Sequence, residues 1–383
     1  MPYPLISGER LRAYKFIEQL SKKHTIDICV FYSDKKDLIY QGEIQKYCRY
    51  VETVLLTRVE QIFNLFRSAF NFLPFQVNYY YSRKMKKAII GMVVKNSYDI
   101  IHVFWVRMLP YVRNISSRNV LLDHNDSLSL NMQRRAVKES NLFKKAVFYL
   151  EYFNMKRFER LRIKDYHRSI VTSEIDSQKL VDKPVVVPMG VDTTYFKPEA
   201  KNKDIDLVFT GNMNYFPNVD AVIYFIKNIF PGLLKVRPDI KFYIVGTNPV
   251  GTIRALSNNK NVFVTGFVPD VREYLNRSKI FVASLRSGSG IQNKILEAMA
   301  CRLPVVSTSI GNAGIKAENN EQILIADTDI EFIGAILKLM TNEDDRIRLG
   351  NSARSFVEKG FCWENTVEKL EQVYFEIIKK NKS

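Results

Sequence analysis

The run 279–314, KIFVASLRSGSGIQNKILEAMACRLPVVSTSIGNAG, gathers residue types that bind a charged ligand. An apolar strand delivers the chain to Arg286, the triplet Gly288, Ser289, Gly290 predicts a tight turn, and a helix begins beyond it. The first N–H groups of a helix have no intrahelical partner, so a glycine turn leading into one is an anion cradle. Arg286 and Lys294 lie on either side of the turn and can add charge for a diphosphate. Glu297 follows Gly290 by about two helical turns, which puts it on the side of the loop, where a carboxylate can accept hydrogen bonds from sugar hydroxyls. The same spacing also fits an ordinary strand-to-helix turn with Glu297 as a solvated carboxylate.

A second cluster, Asp123, His124, Asn125 and Asp126, ends the apolar segment NVLLDH. An imidazole there can hydrogen-bond a hexose or orient an acceptor, and Asp126 is the alternative, as a base or as a brace for the loop. Asp126 can equally cap a helix beginning near Ser127. At the amino terminus Gly8 lets the backbone approach a diphosphate, and Arg10 and Arg12 follow it. Two arginines so close on a helix point in different directions, so one is expected to face the ligand and the other to pack or solvate. His102, inside IIHVFW, reads as a core histidine, whereas His24 and His167 sit among cations and read as surface. Cys29, Cys48, Cys301 and Cys362 show no ligand or disulfide spacing.

The elements that must carry these residues alternate. Apolar residues Leu11, Tyr14, Ile17 and Leu20 step through 8–23 as a helix, and TIDICVFYS then reads as a strand. VETVLLT, IIHVFWV, NVLLDH, SIVTS and PVVVPMG follow as strands at spacings that leave room for helices. After the polar, lysine-rich KPEAKNKDIDL a second series opens with LVFTG, a helix over 218–236, KFYIVG, NVFVTG, KIFVAS, a helix from Gly290, LPVVSTS and a helix pair over 329–380. This pattern predicts two doubly wound α/β domains with a ligand cleft between them. The expected boundaries are 1–190 and 191–365, with 366–383 crossing back to the first domain. No strand precedes the first helix, so the natural chain is expected to start upstream of Met1 with the first strand omitted.

A chain of 383 residues, 46% apolar and 25% charged, has the composition of a folded two-domain protein. It has neither a run long enough to span a bilayer nor a signal-peptide pattern, so a cytoplasmic location is expected. The formal charge of +17 calls for a polyanionic partner: nucleic acid, an anionic membrane surface or phosphorylated small molecules. Within 134–168 the cations Arg134, Arg135, Lys138, Lys144, Lys145 and Lys156 are joined by five more, opposed only by Glu139, Glu151, Glu159 and Asp165. In 58–90, RVEQIFNLFRSAFNFLPFQVNYYYSRKMKKAII, aromatic and basic residues mix as in an interfacial helix; both segments also read as ordinary core with a charged surface.

GIQNKILEAMACRLPVVSTSIGNAGI resembles the donor-binding helix of family 4 retaining glycosyltransferases of the two-domain GT-B fold. PMGVDTTYFKP is similar to that family's interdomain-linker signature, and VFTGNMNYFPNVDAVIYF, IVGTNP and VTGFVPDVREYLNRSKIFV follow in family order. MPYPLISGERLR resembles the amino terminus of a bacterial subgroup associated with exopolysaccharide assembly. The resemblance implies that Glu297 holds the nucleotide ribose, that the backbone at Val268 reads the base, and that Gly211, Asn212, Ser289, Gly290 and Ile291 line the donor site. Ser289 stands where the family has an acid that touches the sugar. Asn212, Met213 and Asn214 follow Gly211 where the family often has a diphosphate-gripping Arg and Lys, so Arg286, Lys294, Arg10 and Arg12 are the expected substitutes. His124 resembles the family's histidine beside the transferred sugar.

The implied activity is retaining transfer of a sugar from a nucleotide diphosphate donor to a glycan, expected to be lipid-linked, in cell-surface polysaccharide synthesis. The implied place is the inner face of the cytoplasmic membrane. No cofactor or metal is expected: Asp327–Asp329 has the D-x-D spacing of a metal site in another glycosyltransferase fold but directly precedes a helix and reads as a cap. The rivals are a GT-B sugar-nucleotide epimerase, for which Ser289 supplies no acid or base, a degenerate member, and a nucleic-acid binder supported by charge alone.

Overall fold

The computed structural model describes residues 1–5, 7–71, 73–115, 119–287 and 290–380, and the side chains of these other than 69, 70, 114 and 138. The chain divides into one unit of Met1–Pro188 with Thr366–Ser383 and a second of Met189–Asn365.

The first unit carries β1 (Asp27–Tyr32), β2 (Tyr50–Leu55), β3 (Ile101–Phe104), β4 (Val120–Asp123), β5 (Arg168–Val171) and β6 (Val185–Val186). All pair in parallel, β1 with β2 as one sheet and β3-β4-β5-β6 in that order as another. Among the described residues no strand precedes the first helix, Gly8–Leu20. β4, Val-Leu-Leu-Asp, is buried at every position, as expected of a parallel strand covered on both faces. The helix Trp363–Lys380 packs on this unit: the hydroxyl of Tyr374 lies 2.7 Å from Nδ1 of His102 on β3, and Glu371 takes the Lys23 ammonium at 2.8 Å.

The second unit holds one six-stranded parallel sheet in the order β12-β11-β10-β7-β8-β9, from β7 (Ile205–Thr210), β8 (Phe242–Val245), β9 (Val262–Gly266), β10 (Ser278–Ala283), β11 (Val305–Ser307) and β12 (Leu324–Ile325). Successive strand residues point to opposite faces. Phe209, Ile244 and Val282 therefore enter one core cluster, and Val208, Val245 and Phe281 enter the other.

Two expectations change here. The single helix over 218–236 is two α-segments, Phe216–Tyr224 and Phe230–Val236, joined by a π-turn, Phe225–Ile229. Pro231 has no N–H for the carbonyl four residues back, and the widened turn just before it absorbs that lost bond. The expected final helix pair is three helices, Asp329–Thr341, Glu343–Gly360 and Trp363–Lys380, because Asn342 leaves the helical region and caps the next helix through the Asp345 N–H at 3.0 Å. The short edge strand β12 carried no signal of its own in the sequence. Asp327–Asp329 is a capping site, with Thr328 and Glu331 forming a reciprocal capping box and the Asp327 carboxylate accepting from the Ser309 N–H at 2.8 Å.

Gly246, after β8, has φ +148°, and a Cβ built on it would lie 1.7 Å from the carbonyl oxygen of Gly211, after β7. The two loops can lie this close only with no side chain between them. Gly246→Ala is therefore expected to lower unfolding stability by about 1–3 kcal/mol. Denaturant titration checks this; an unchanged midpoint would mean that the loops do not meet.

Candidate functional site

In the second unit the chain runs outward from β7 through β8 and β9 on one side and returns through β10, β11 and β12 on the other. The order therefore reverses between β7 and β10, which pair directly at Val208 and Phe281. Ligands of open parallel sheets bind at the carboxyl ends of the strands at such a switch point. Gly211 and Asn212 follow one of these strands, and Arg286 through Ile291 follow the other.

Glycines thin the backbone on both sides. Gly211 has φ +157°, and its Cβ would meet Asn218 Nδ2 at 2.6 Å and Lys294 Cε at 3.5 Å, so the Lys294 side chain lies directly over the β7 turn. Gly290 has φ +73°, a left-handed conformation, and Gly314 backs its carbonyl so tightly that a Cβ there would lie 2.5 Å away. Asn218 is buried and its amide donates to the Asn212 carbonyl at 3.0 Å, fixing the turn after β7. Gly246, Gly314 and Asn218 were not singled out from sequence. Only the G-N-A-G run and the glycine closing IVG hinted at them, since their role depends on loops distant in the chain.

The helix Asn293–Ala300 starts beside this switch point, with Gln292 as its N-cap, and among the described residues no side chain caps its first N–H groups. The Lys294 ammonium donates to Gln292 Oε1 at 2.9 Å and lies 5.9 Å from the Phe209 ring centre. Burial pulls Lys294 down to about 8, with the Glu297 carboxylate opposing. Burial pushes Glu297 up to about 7, with Lys294 opposing. A cation and a carboxyl that both titrate near neutrality, beside a helix N-terminus, suit an anion joined to a polyol. Ile291 is partly buried against the same core, as is Val268 after β9. Arg286 reaches the outer side of the neighbouring helix, donating from Nε to Asp220 at 3.2 Å and lying over the Tyr224 ring at 4.5 Å. Lys294 is therefore the cation that the structure sets at the β7 turn. Ser289 lies outside the described residues.

In the first unit the arginine question resolves. Arg12 and Asp123 are both 0% exposed, and Arg12 Nε donates to Asp123 Oδ2 at 2.9 Å while Nη1 donates to the Pro188 carbonyl at 3.1 Å. The expectation that Arg12 binds donor is corrected: it is an interior ion-pair partner that fixes the first helix to the end of β4. Arg10 is half-exposed and Gly8 is exposed at the start of the same helix. Burial pushes the Asp123 carboxyl up, but Arg12 and His102 outweigh it and hold it at about 2. Asp123 Oδ1 accepts the Asn125 N–H at 2.8 Å, which bends the chain through a left-handed Asn125 with φ 59°.

That bend separates the two candidate catalytic groups. His124 turns inward and is 1% exposed, with Nε2 3.5 Å from Asp182 and its ring edge-on to Tyr166. Direct contact of His124 with a sugar is corrected to an interior position. Asp126 stays partly open at the carboxyl end of β4, accepting from the Thr172 hydroxyl at 3.1 Å. Burial, then the charge of Asp176, raises it to about 6. The cap of the following helix is Ser127, whose hydroxyl accepts the Leu130 N–H at 3.2 Å, so Asp126 is not held there as a cap. Among the described residues no three or more His, Cys, Asp or Glu side chains are grouped to hold a metal ion.

Residues 204–342, which contain the whole switch-point site, match the family model described as glycosyl transferases group 1. The chain is 24% identical over 408 residues to a 44.6 kDa protein of the cps region of Klebsiella pneumoniae, covering 99% of this chain and 97% of the relative. A sucrose-phosphate synthase of Thermosynechococcus elongatus superposes over 98% of this chain and 94% of its own, with TM-score 0.70 and 16% identity. HepE of Anabaena, solved with UDP-glucose, superposes over 97% and 96% of the two chains, with TM-score 0.65 and 12% identity. The fold is that of the GT-B glycosyltransferases, with two Rossmann-like units. The chain is a glycosyltransferase.

The titration of Lys294 sets a pH dependence. The ammonium is charged below about 8 and lost above it, and Glu297 gains negative charge above about 7, so both changes oppose an anion as pH rises. Affinity for a nucleoside diphosphate is expected to fall about tenfold between pH 7 and 9, and Lys294→Met should flatten the profile. Titration calorimetry across that range checks this, and a flat wild-type profile would contradict it.

Proposed function

We propose that this glycosyltransferase is of the family 4, retaining type. It moves a sugar from a nucleoside diphosphate donor to a lipid-linked glycan during cell-surface polysaccharide synthesis, at the inner face of the cytoplasmic membrane. The observation that carries the donor reading is the switch point itself: a helix N-terminus uncapped among the described residues, with Lys294 over a glycine-lined backbone and Glu297 three residues further along the same helix. HepE, with UDP-glucose bound, supports a nucleotide-sugar donor, and the relative from a cps region supports the polysaccharide context.

The diphosphate lies against the helix Asn293–Ala300 and Lys294, whose partial and full charges stabilise it as the glycosidic bond breaks. Glu297 accepts the ribose hydroxyls. The acceptor hydroxyl attacks on the face from which the diphosphate departs, and the leaving phosphate takes its proton, so configuration is retained. Asp126 orients the acceptor. The reaction needs no metal, and transfer should therefore persist in excess EDTA.

A screen of thermal stability against UDP, GDP, ADP and their sugars tests the donor reading, because a ligand that binds only the folded chain raises its Tm. A base-selective rise followed by sugar transfer is expected; a well-folded sample with no rise for any nucleotide would overturn it. Glu297→Ala should weaken nucleotide binding about tenfold, equivalent to about 1.4 kcal/mol. Asp126→Asn should lower kcat and leave nucleotide affinity unchanged. Equal loss of binding in the two variants would contradict this division of roles.

A further inference from the structure

The helix Arg58–Asn71 is turned inside out. Val59, Phe63 and Phe66 are 76%, 66% and 69% exposed and Ile62 joins them, while Gln61, Asn64 and Ser68 on the opposite side are buried. These outward residues stand at i, i+3, i+4 and i+7, the spacing of one helix face. Water-facing helices of globular proteins place such a stripe against the core. The inversion is held by Asn64, whose amide donates to the Tyr81 carbonyl at 2.7 Å. A rotation that hid the phenylalanines would break this bond and turn Gln61, Asn64 and Ser68 to water.

A second helix of the same unit behaves alike. On Leu142–Leu161 the residues Phe143, Leu150, Phe153 and Leu161 are exposed along one face, interleaved with exposed Arg157 and flanked by exposed Arg160. The two helices are joined through the short helix Phe75–Tyr79. Arg58–Asn71 packs against that helix, whose N-terminus donates to the Glu151 carboxylate of Leu142–Leu161 from Phe75 N at 2.7 Å and Gln76 N at 3.1 Å.

Charge chooses the occupant. Glu151, Glu159 and Asp165 are all buried, Glu151 on the backbone just described and Glu159 on the Ser129 hydroxyl at 2.7 Å. The cations Arg58, Arg67, Lys144, Lys156, Arg157 and Arg160 remain exposed. On the two helices Glu151 and Glu159 are buried and Glu60 is half-buried against Thr57, so the exposed charges around the aromatic stripes are cations, and a second copy of a chain of charge +17 would bring like charge against like. Among the described residues no helix is long and apolar enough to cross a membrane. We infer that the outward faces of Arg58–Asn71 and Leu142–Leu161 dock this unit on an anionic lipid bilayer, the aromatic side chains entering the headgroup boundary and the cations meeting lipid phosphates. The inference deepens the membrane location proposed above and rests on that reading only for its biological setting.

Flotation of the full chain with phosphatidylglycerol–phosphatidylcholine vesicles and with pure phosphatidylcholine vesicles tests it. The wild type is expected to float with the anionic vesicles and at least tenfold less with neutral ones. Phe63→Glu/Phe66→Glu and Phe143→Glu/Phe153→Glu should each reduce flotation at least tenfold while keeping the wild-type circular dichroism and the nucleotide-induced rise in Tm. Wild-type protein that stays unbound, or variants that float as well as wild type while folded, would overturn the inference. So would a dimer, seen by analytical ultracentrifugation, that both substitutions dissociate without vesicle binding. If a variant misfolds, Leu150→Glu and Ile62→Glu carry the same reading singly. Flotation uses neither donor nor acceptor, so its failure leaves the transfer reading standing, and a transfer failure leaves flotation standing.

Discussion

Strands that leave β7 in opposite directions cannot both be covered by the same crossover helix, so a gap opens at the carboxyl edge of the sheet between β7 and β10. Everything that recommends the second unit as a binding site follows from filling that gap with backbone instead of side chains. Gly246 lets the β8 loop back onto the Gly211 carbonyl, and Gly314 lets a distant loop press on Gly290. Asn218 then fixes the β7 turn from beneath. A surface made of peptide groups and one helix N-terminus presents dipoles in place of bulk, which is what a diphosphate requires. Lys294 and Glu297 are the ionisable groups added to it, and burial brings both close to neutrality.

The first unit solves a different problem, that of holding a strand-end loop open while its base stays dry. Burying the Arg12–Asp123 pair costs less where further hydrogen bonds reach it: the Pro188 carbonyl meets Arg12 Nη1 and the Asn125 N–H meets Asp123 Oδ1, while Arg12 Nη2 is buried without a partner among the described residues. The consequence lies two residues further on. With Asp123 committed inward and Asn125 in the left-handed region, His124 is directed into the interior and Asp126 is left at the rim. Which group of the Asp-His-Asn-Asp cluster meets solvent is thus decided by an arginine more than a hundred residues earlier.

Much of the architecture was legible in the sequence because apolar runs report parallel strands directly: eleven segments read as strands coincide with β1 through β11. The change from strand to helix after β10 was legible for the same reason; of the expected turn, Gly290 is left-handed, and Gly288 and Ser289 lie outside the described residues. What spacing could not show was direction. Arg10 and Arg12 are equivalent on paper, and only the position of Asp123 separates them. The close pairs Gly211–Gly246 and Gly290–Gly314 join loops that are unrelated along the chain, so neither partner announces the other. In 58–71 the mixture of aromatic and basic residues was visible, but the burial of Gln61, Asn64 and Ser68 depends on a hydrogen bond to Tyr81 that no periodicity encodes.

The central claim is that the switch point between β7 and β10 binds a nucleoside diphosphate through its backbone and the start of the helix Asn293–Ala300. Amide hydrogen exchange of the full chain with and without the nucleotide that stabilises it reads this directly, because bound and occluded N–H groups exchange slowly. The account predicts that slowing concentrates in the loops after β7 and β10 and in the first turn of that helix. Slowing confined to other parts of the chain, with those loops exchanging as in the free protein, would contradict it.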